Sequence, residues 1–452
     1  MNIIVVGGGK IGGSIAEALS KKHNLTVIDT DQDVVSTLST SLDILGIIGN
    51  GASYAIQEEA NIKDCQLLIA ATPHDEVNIL CCLIARKLAS CKTIARIRNP
   101  IYKSELPYLK EELGLSMIIN PEWTTANEIS KILRFPDSIK VHSFLDGELE
   151  LLEFAIEENS PLINLNLIEV SKQISNKILV CTVQRGEDVY IPRGTFGLHK
   201  NDIITISAKP KDAFDFFKKV GIKTNNTKNV LIIGGGKISY YLANDLDKLS
   251  INTKIIEIDK TICESLSEAL PNTTIIKADA SNQDALYEEG LSECDAFVTL
   301  TNLDEENIML SLFAKKKSKA KVITKINRIN YERVLEGFDI GSIIHPKELT
   351  ASYISAYAEA LHNSENIDVE SLYNIVDGKA KALEFIVKEA HMSLCNVEIR
   401  NLKIKDGNSI VAIKHNNQIY YANGSSIINI NDNILVVTKS DSVHTLNDIF
   451  EI

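Results

Sequence analysis

The sequence predicts an α/β protein with two Rossmann-like, doubly wound parallel sheets, each followed by a small α+β module. Three observations predict this fold class. The sequence repeats itself at about half its length, each half opens with apolar runs that alternate with helix-like stretches, and a glycine-rich turn follows the first run of each half. This pattern indicates a duplicated pair of domains, in which each parallel sheet carries helices on both faces.

The repeat extends through the whole chain of 452 residues. The segment Ile3–Ile11 returns as Val230–Ile238, and Ile118–Pro121 returns as Ile343–Pro346. The spacing between the two copies drifts by a few residues, so the halves differ by small insertions. A period this long indicates duplicated domains rather than the short units of a solenoid.

In the first half, four apolar runs lack the alternation of half-exposed strands and therefore predict buried parallel strands. These runs are Ile3–Val6, Leu25–Ile28, Leu67–Ala71 and Thr93–Ile97. A helix is predicted over Gly12–Lys21, directly after the first strand. Strands that alternate with helices in this way predict a parallel sheet.

From about residue 140 the apolar residues alternate more and turn signals are frequent, which predicts a small antiparallel module. Its strands are predicted over Leu149–Ile156, Lys177–Gln184, Asp188–Pro192 and Ile203–Ala208, and its closing helix over Lys211–Val220. The repeat then predicts four domains. Rossmann-like domains span 1–135 and 226–360, and small modules span 136–223 and 361–452.

The composition excludes several classes of protein. Lys and Arg number 47 against 60 Asp and Glu, giving a net charge of −13, which argues against nucleic acid as a partner. No apolar run is long enough to span a bilayer, and no basic leader is evident, so we expect a cytoplasmic protein. The 8 cysteines and 9 histidines show no metal-like spacing, and we expect reduced thiols and no metal.

A nucleotide fingerprint, G-x-G-x-x-G, follows the first predicted strand and opens the first predicted helix. In such a turn the first glycine allows the tight bend, the second lets the backbone approach a pyrophosphate, and the third lets the helix pack closely on the strand. The free N–H groups and dipole at the helix start attract phosphate. The predicted ligand-binding residues of this turn are Gly7, Gly8, Gly9, Lys10, Ile11 and Gly12.

An acidic residue ends the second predicted strand, as the fingerprint requires. Asp29 would accept hydrogen bonds from a ribose diol and repel a 2′-phosphate, which favours NAD over NADP. Thr30, Asn50 and Thr72 also follow strand ends and are predicted to contact the nucleotide, with Asn50 facing the adenine. Two further carboxylates have two interpretations each. Asp31 either lines the same crevice or is an exposed carboxylate at the strand end, and Asp75 either lines the crevice or caps the next helix. No Walker A sequence occurs, so P-loop hydrolysis of a nucleotide is not expected.

Two arginines are predicted on alternate positions of the fifth strand, so that both point to one face of the sheet. Burying Arg96 and Arg98 is costly without anions nearby. A bound phosphate, a subunit contact or an internal salt bridge would each satisfy them, and the sequence leaves these alternatives open.

The second half keeps the scaffold but changes the predicted site. Ser239 replaces the third fingerprint glycine, Lys325 replaces Arg96 and Asn327 replaces Arg98, with Arg328 one position later. We therefore expect fewer cations in this crevice and weaker binding or a different ligand. Its predicted binding residues are Gly234, Gly236, Ile238, Glu257, which aligns with Asp29, and Asp279, which aligns with Asn50.

No catalytic arrangement accompanies the fingerprint. Hydride transfer needs a proton donor beside the nicotinamide, and neither a His–Asp pair nor a Tyr-x-x-x-Lys motif stands out around Tyr353. The sequence therefore favours a sensor over an enzyme. The alternatives are a soluble NAD-dependent oxidoreductase and the ligand sensor of a channel for another ion. In the small modules, Asp188, Arg193 and Asp202 are interpreted as exposed turn residues, with a small effector site as the alternative.

At the level of these motifs the chain resembles the TrkA family, the peripheral regulatory subunits of bacterial Trk and Ktr-type potassium uptake systems with tandem KTN (RCK) domains. The segments Gly7–Gly12, Ile28–Asp31, Gly49–Gly51, Asp75–Asn78 and Ala95–Arg98 carry the resemblance. It implies a potassium-transport regulator that responds to NAD(H) and to ATP or ADP. It also implies a homotetrameric ring that docks from the cytoplasm on a TrkH/TrkG-like membrane subunit. Arg98 would then reach a phosphate.

Overall fold

The computed structural model describes residues 1–102, 112–136, 138–145, 147–225, 227–327, 340–362, 369–416, 418–440 and 442–451. The chain forms two compact units that do not follow its two halves. Met1–Leu133 and Thr227–Glu359 form the first unit, and Arg134–Asn226 and Ala360–Ile452 form the second. Like parts of the repeat are therefore grouped within one unit.

Each half contributes one six-stranded parallel sheet to the first unit. The first sheet contains β1 (Asn2–Val6), β2 (Asn24–Asp29), β3 (Leu45–Ile48), β4 (Leu67–Ala70), β5 (Lys92–Arg96) and β6 (Met117–Ile119). Its strand order is β3-β2-β1-β4-β5-β6, the doubly wound order that places a crevice where the order reverses between β1 and β4. The predicted buried runs are its four inner strands.

The second unit contains the two small modules, each built on a five-stranded antiparallel sheet. The first of these sheets contains β7 (Lys140–Phe144), β8 (Leu149–Ala155), β9 (Leu179–Arg185), β10 (Asp188–Tyr190) and β11 (Ile203–Ala208), in the order β10-β9-β11-β8-β7. The sequence pattern did not predict β7, whose side chains run from exposed at Lys140 to buried at Phe144 without alternation. A helix over Pro210–Val220 follows β11, as predicted.

The second half repeats both sheets. Its parallel sheet contains β12 (Asn229–Ile233), β13 (Asn252–Glu257), β14 (Thr274–Lys277), β15 (Ala296–Thr299), β16 (Lys321–Lys325) and β17 (Ser342–Ile344), in the same doubly wound order. Its antiparallel sheet contains β18 (Val369–Ile375), β19 (Ala380–Ile386), β20 (Asn408–His415), β21 (Gln418–Tyr421) and β22 (Asn433–Thr438). The repeat is inexact at its end, since a short 3₁₀ helix over Leu446–Ile449 stands where the first module has a longer α-helix.

Helices connect the parallel strands on both faces. The described α-helices of the first unit are Lys10–Ser20, Gln32–Ser41, Tyr54–Glu59, Asp75–Leu88, Pro121–Arg134, Lys237–Lys248, Lys260–Ala269, Gln283–Glu288, Asp304–Lys317 and Pro346–His362. The first helix begins at Lys10, earlier than the predicted Gly12, because the glycine turn is itself shorter than expected. In the described part of the chain, no helix combines the length and apolarity needed to cross a membrane.

The last helix of the first Rossmann-like domain packs on the parallel sheet of the second half. Ala126, Ile129 and Leu133 of the helix Pro121–Arg134 are fully buried and belong to one core with Ile232 of β12 and Tyr241. Because this apolar surface would otherwise face water, its burial holds the two parallel sheets together as one unit.

Truncating this helix contact should destabilise the protein. We expect Leu133→Ala to lower the free energy of unfolding by about 2–5 kcal/mol, because a cavity replaces a fully buried side chain. Leu80→Ala removes the same atoms from a half-exposed position in the helix Asp75–Leu88, and should cost about 0.5 kcal/mol or less. Urea unfolding of both variants measures the difference. Equal losses would contradict the packing described for this helix.

Candidate functional site

The glycine turn after β1 is shaped by close approaches of the backbone. Gly7 has φ +92°, and a Cβ there would stand 2.9 Å from the Thr72 nitrogen. A Cβ at Gly12 would stand 1.7 Å from the Gly7 carbonyl oxygen. A Cβ at Gly9 would meet no atom within 4 Å, so this position opens onto free space. The three glycines therefore have the separate roles that the fingerprint predicts: bend, open approach and tight packing.

Asp29 fixes the glycine turn from the end of β2. One carboxylate oxygen accepts the Gly8 N–H at 2.6 Å, and the other accepts the Asp31 N–H at 2.9 Å. Each oxygen keeps a further lone pair that a ribose hydroxyl could use. Asp31 is the N-cap of the next helix, with its side chain accepting from the amides of Asp33 and Val34.

A cavity of about 950 Å³ lies at the carboxyl edge of both parallel sheets. Eleven of the predicted binding residues line it: Gly7, Gly9, Lys10, Ile11, Asp29, Thr30, Asn50, Thr72, Arg98, Gly236 and Ile238. Five do not: Gly8, Gly12, Gly234, Glu257 and Asp279. Both halves contribute their phosphate-facing turns to the cavity lining. Only the first half also contributes the strand-end residues that would enclose a nucleoside.

The two arginines converge on a carboxylate that the sequence analysis missed. Arg98 Nε lies 2.8 Å from Glu122 Oε1, and Arg96 Nη2 lies 3.9 Å from the same oxygen. Because β5 ends at Arg96, the expectation that Arg98 is on the strand was wrong. Burial lowers the pKa of Arg96, against the opposing effect of Glu122. The internal salt bridge is thus present in this structure.

Polar atoms around this ion pair are left without partners. Within the described residues, Arg96 Nε and Glu122 Oε2 are buried and make no hydrogen bond. Orphaned buried polar atoms are rare and costly. Their position on the cavity lining indicates that a polar ligand or water would complete the cluster. The sequence contained one signal for this carboxylate. The repeated proline after the sixth strand, Pro121 or Pro346, is followed by Glu122 in the first copy and by Lys347 in the second.

Asp75 does not cap its helix, contrary to one of the two alternatives. The N-cap is His74, and the Asp75 carboxylate accepts the backbone N–H groups of Arg98 and Asn99 at 3.0 and 2.8 Å. Asp75 therefore holds the chain as it leaves β5. Asn78 links the neighbouring strand end, since its amide donates to the Arg96 carbonyl and accepts from the Thr72 N–H.

The second half repeats the glycine-turn contact away from the cavity. Glu257 accepts the Gly235 N–H at 2.6 Å and the Asp259 N–H at 2.8 Å, the same two contacts that Asp29 makes. Ser239 is fully buried and its hydroxyl donates to the Gly234 carbonyl, so the serine packs into the turn through a hydrogen bond. Asp279 is exposed, and its hydrogen bonds with Ser281 lower its pKa.

The expectation of fewer cations in the second crevice was wrong. Lys237, Lys325 and Lys347 all line the cavity. Lys325 ends β16 and is buried, and its ammonium donates to the Leu300 carbonyl at 3.1 Å. Asn327 lines the cavity and its side-chain amide donates to the Asp304 carboxylate, and Arg328 lies outside the described residues.

Asp202 of the first small module was expected to be an exposed turn residue, and this expectation was wrong. It is buried and accepts two hydrogen bonds of 2.8 Å from Arg185. Burial opposes the effect, but the hydrogen bonds from Arg185 and the His199 amide hold the pKa of Asp202 below its usual value. Asp188 is exposed, and Arg193 is exposed and paired with Asp406. In the second module, His415 occupies the place of Arg185 and pairs with Asp432.

The comparisons with known proteins agree with this architecture. The TrkA-N domain model matches residues 3–121 and 230–346, and the TrkA-C domain model matches 151–221. A Trk system potassium uptake protein trkA homolog 1 of Methanosarcina mazei is 30% identical, over 86% of this chain and 95% of its own length. The Trk system potassium uptake protein TrkA of Halomonas elongata is 29% identical, over 100% of this chain and 99% of its own.

Solved structures support the fold. The structure of the GsuK channel bound to NAD superposes with a TM-score of 0.61 at 16% identity, covering 99% of this chain and 78% of that one. GsuK bound to ADP gives a TM-score of 0.51 at 14% identity, covering 80% and 70%. Fold and site together define a duplicated Rossmann-type protein with paired small modules, which confirms the predicted fold class. The chain belongs to the TrkA family.

Substitutions at two fingerprint glycines should distinguish the glycine needed for packing from the glycine needed for ligand approach. We expect Gly12→Ala to destabilise the protein by about 1–3 kcal/mol, since its Cβ would overlap the Gly7 oxygen. Gly9→Ala meets open space and should keep the thermal midpoint within a few degrees, yet weaken NAD binding, because the backbone approach is lost. Thermal unfolding and calorimetric titration measure both effects. The same midpoint for the two variants would contradict the geometry.

Proposed function

We propose that the chain is the nucleotide-binding regulatory subunit of a potassium uptake system and gates a membrane potassium-translocating partner. The observation that carries the proposal is the shared cavity, in which an Asp29-anchored glycine turn meets Arg98 and Arg96. Family membership and relatives named as Trk system potassium uptake proteins support the transport role. The structural neighbours titled as bound to NAD and to ADP support an adenine nucleotide as the ligand class.

The adenosine part of the ligand is assigned to the first half. Asp29 would accept the ribose hydroxyls, Asn50 would face the adenine, and Gly9 with the start of the helix Lys10–Ser20 would approach the phosphates. NAD(H), ATP and ADP share these features. Gly234, Glu257 and Asp279 themselves do not line the cavity, and we propose that the second half contributes no nucleoside pocket to it.

The switch in this proposal is the Arg98–Glu122 ion pair. A ligand phosphate competes with Glu122 for Arg98, and the carboxylate would lose its partner when the phosphate binds. Nucleotides with different terminal phosphates would then stabilise different positions of Arg98 and of the helix that carries Glu122. Only such a differential contact can shift a conformational equilibrium.

The assembly and location follow from the same proposal. We propose a homotetrameric ring on the cytoplasmic face of the cell membrane, attached through a TrkH/TrkG-like subunit and without catalytic activity. The net charge of −13 supports attachment through a protein, because an acidic chain is repelled by an anionic lipid surface. The domain boundaries proposed for the ring subunit remain 1–135, 136–223, 226–360 and 361–452.

Nucleotide binding tests the site. We expect Asp29→Asn to weaken NAD binding about tenfold and to reduce the preference for NAD over NADP, because the charge facing the 2′ position is removed. Glu257→Gln changes the matching carboxylate outside the cavity and should have a much smaller effect. Isothermal calorimetry on the full chain measures both. A larger loss in Glu257→Gln would place the nucleotide in the second half instead.

Potassium flux tests the regulatory role. In proteoliposomes containing the membrane subunit, we expect nucleotide to change the flux with the wild-type chain. Arg98→Gln should abolish this response while the chain still co-sediments with the vesicles, because the variant loses both the phosphate contact and the ion pair with Glu122 on which the proposed switch depends. Arg400→Gln, at an exposed position of the second unit, serves as the charge-matched control. A nucleotide response that survives Arg98→Gln excludes the proposed switch.

A further inference from the structure

The charged residues of the cavity are divided unequally between the two halves. The first half contributes three cations and three carboxylates, and the second half contributes three lysines and, among the described lining residues, no carboxylate. These residues are Lys10, Arg96, Arg98, Asp29, Asp31 and Glu122 from the first half, and Lys237, Lys325 and Lys347 from the second. The excess positive charge of the cavity therefore comes from the second half alone.

Lys325 is the most unusual of these cations, because it is only 5% exposed. Its ammonium has three donors, and within the described residues it makes one hydrogen bond, to the Leu300 carbonyl, and no ion pair. A buried ammonium without an anionic partner is costly. An anion in the cavity would offset this cost and accept the remaining donors.

The repeat allows this arrangement to be compared with the one in the first half. Lys325 ends β16 where Arg96 ends β5, so both cations have the same position in their sheets. In the first half, Glu122 follows the next strand and pairs with the arginines. In the second half, Lys347 has the position of Glu122. A neutralising carboxylate is thus replaced by another cation.

The second half also contributes a glycine turn and the start of a helix to the cavity lining. Gly236 precedes the 12-residue helix Lys237–Lys248 and lines the cavity together with Ile238. Free N–H groups at a helix start favour phosphate. The nucleoside-facing residues of this half, Glu257 and Asp279, do not line the cavity. What this half retains is the phosphate end of a nucleotide site without its nucleoside end.

We propose that the second half forms a separate phosphate subsite in the shared cavity, with Lys325 as its central cation and Lys237 at its helix start. The subsite deepens the proposed function and rests on it for one of its two ligand sources. The phosphate is either the terminal group of a nucleotide whose adenosine is held by the first half, or free inorganic phosphate. Both sources present the same anionic oxygens to Lys325.

The protonation of Lys325 supports the subsite. Burial lowers its pKa to about 8, with Asp304 and Glu122 as the carboxylates that act against this shift. Arg96, Arg98 and the two other lysines of the second half line the same cavity. A bound phosphate would raise the pKa again. Binding at about pH 9 should therefore take up protons, and affinity should fall as the pH rises through 8.

The first experiment compares nucleotides that differ only in phosphate number. Calorimetric titration of the full chain with AMP, ADP and ATP is carried out for wild type, Lys325→Met and Lys237→Gln. In Lys325→Met we expect the affinity for AMP to stay within twofold of the wild-type value. The ratio of the affinity for the tighter-binding of ADP and ATP to the affinity for AMP, which we call the polyphosphate gain, should fall about tenfold or more. Lys277→Met is the matched control, since this lysine ends β14 of the same sheet outside the cavity.

The second experiment uses inorganic phosphate with and without saturating AMP. A phosphate affinity that Lys325→Met removes, with the polyphosphate gain intact, identifies free phosphate as the occupant. Loss of the polyphosphate gain identifies the terminal phosphate. If neither affinity changes in Lys325→Met, the subsite is refuted. A chain that binds phosphate but no adenine nucleotide would refute the proposed function and leave the subsite standing.

Proton uptake separates a direct contact from a structural effect. Titrations at about pH 9 in two buffers with different ionisation enthalpies report the protons taken up on binding. Wild type should take up protons, and Lys325→Met should not. The methionine variant should also unfold at the same or a higher temperature, because a costly buried charge is removed. Equal proton uptake in the two proteins would overturn the assignment to Lys325.

Discussion

The packing of the helix Pro121–Arg134 of the first half against the parallel sheet of the second half is the contact on which the site depends. Its apolar residues, among them Ile129 and Leu133, are buried in the core of the second parallel sheet. The same helix begins at the carboxyl edge of the first sheet, where Glu122 meets Arg98. One element therefore joins a hydrophobic core to an ion pair. Under the proposed switch, displacement of Glu122 would therefore move a helix whose other side is packed tightly in the core of the second sheet.

Much of the fold could be predicted because its signals are local. Buried parallel strands are apolar over their whole length, and the closest approach in the glycine turn, that of Gly12 to Gly7, joins residues close in sequence. The edge strand β7 lacks such a signal because its residues alternate only weakly. Asp202 was misjudged for a related reason. Its turn sequence is typical of an exposed loop, and only the distant Arg185 explains why a carboxylate is buried there.

The charge of the site could not be predicted, because it depends on which residues the two halves bring to one cavity. Counted along the chain, the protein is acidic, with a net charge of −13. Counted over the cavity lining, cations outnumber carboxylates by three, as 6 residues against 3. A comparison of Arg98 with Asn327 alone suggested a cation-poor second half. Lys347 reverses that conclusion, and its importance appears only once the helix Pro346–His362 is placed beside the cavity.

The acidic residue of the fingerprint does not by itself indicate that a nucleotide binds beside it. Asp29 and Glu257 make matching contacts, each accepting one N–H of its glycine turn and the N–H of the residue two positions after it, although only Asp29 lines the cavity. The carboxylate thus stabilises the turn whether or not a ribose is present, since it satisfies backbone N–H groups that would otherwise be unpaired. A duplicated domain can retain the motif for this structural reason after its nucleoside pocket is lost. Under the proposed function, the two halves differ instead in the side chains at the end of the fifth strand and at the start of the helix after the sixth, where Lys325 and Lys347 have the positions of Arg96 and Glu122.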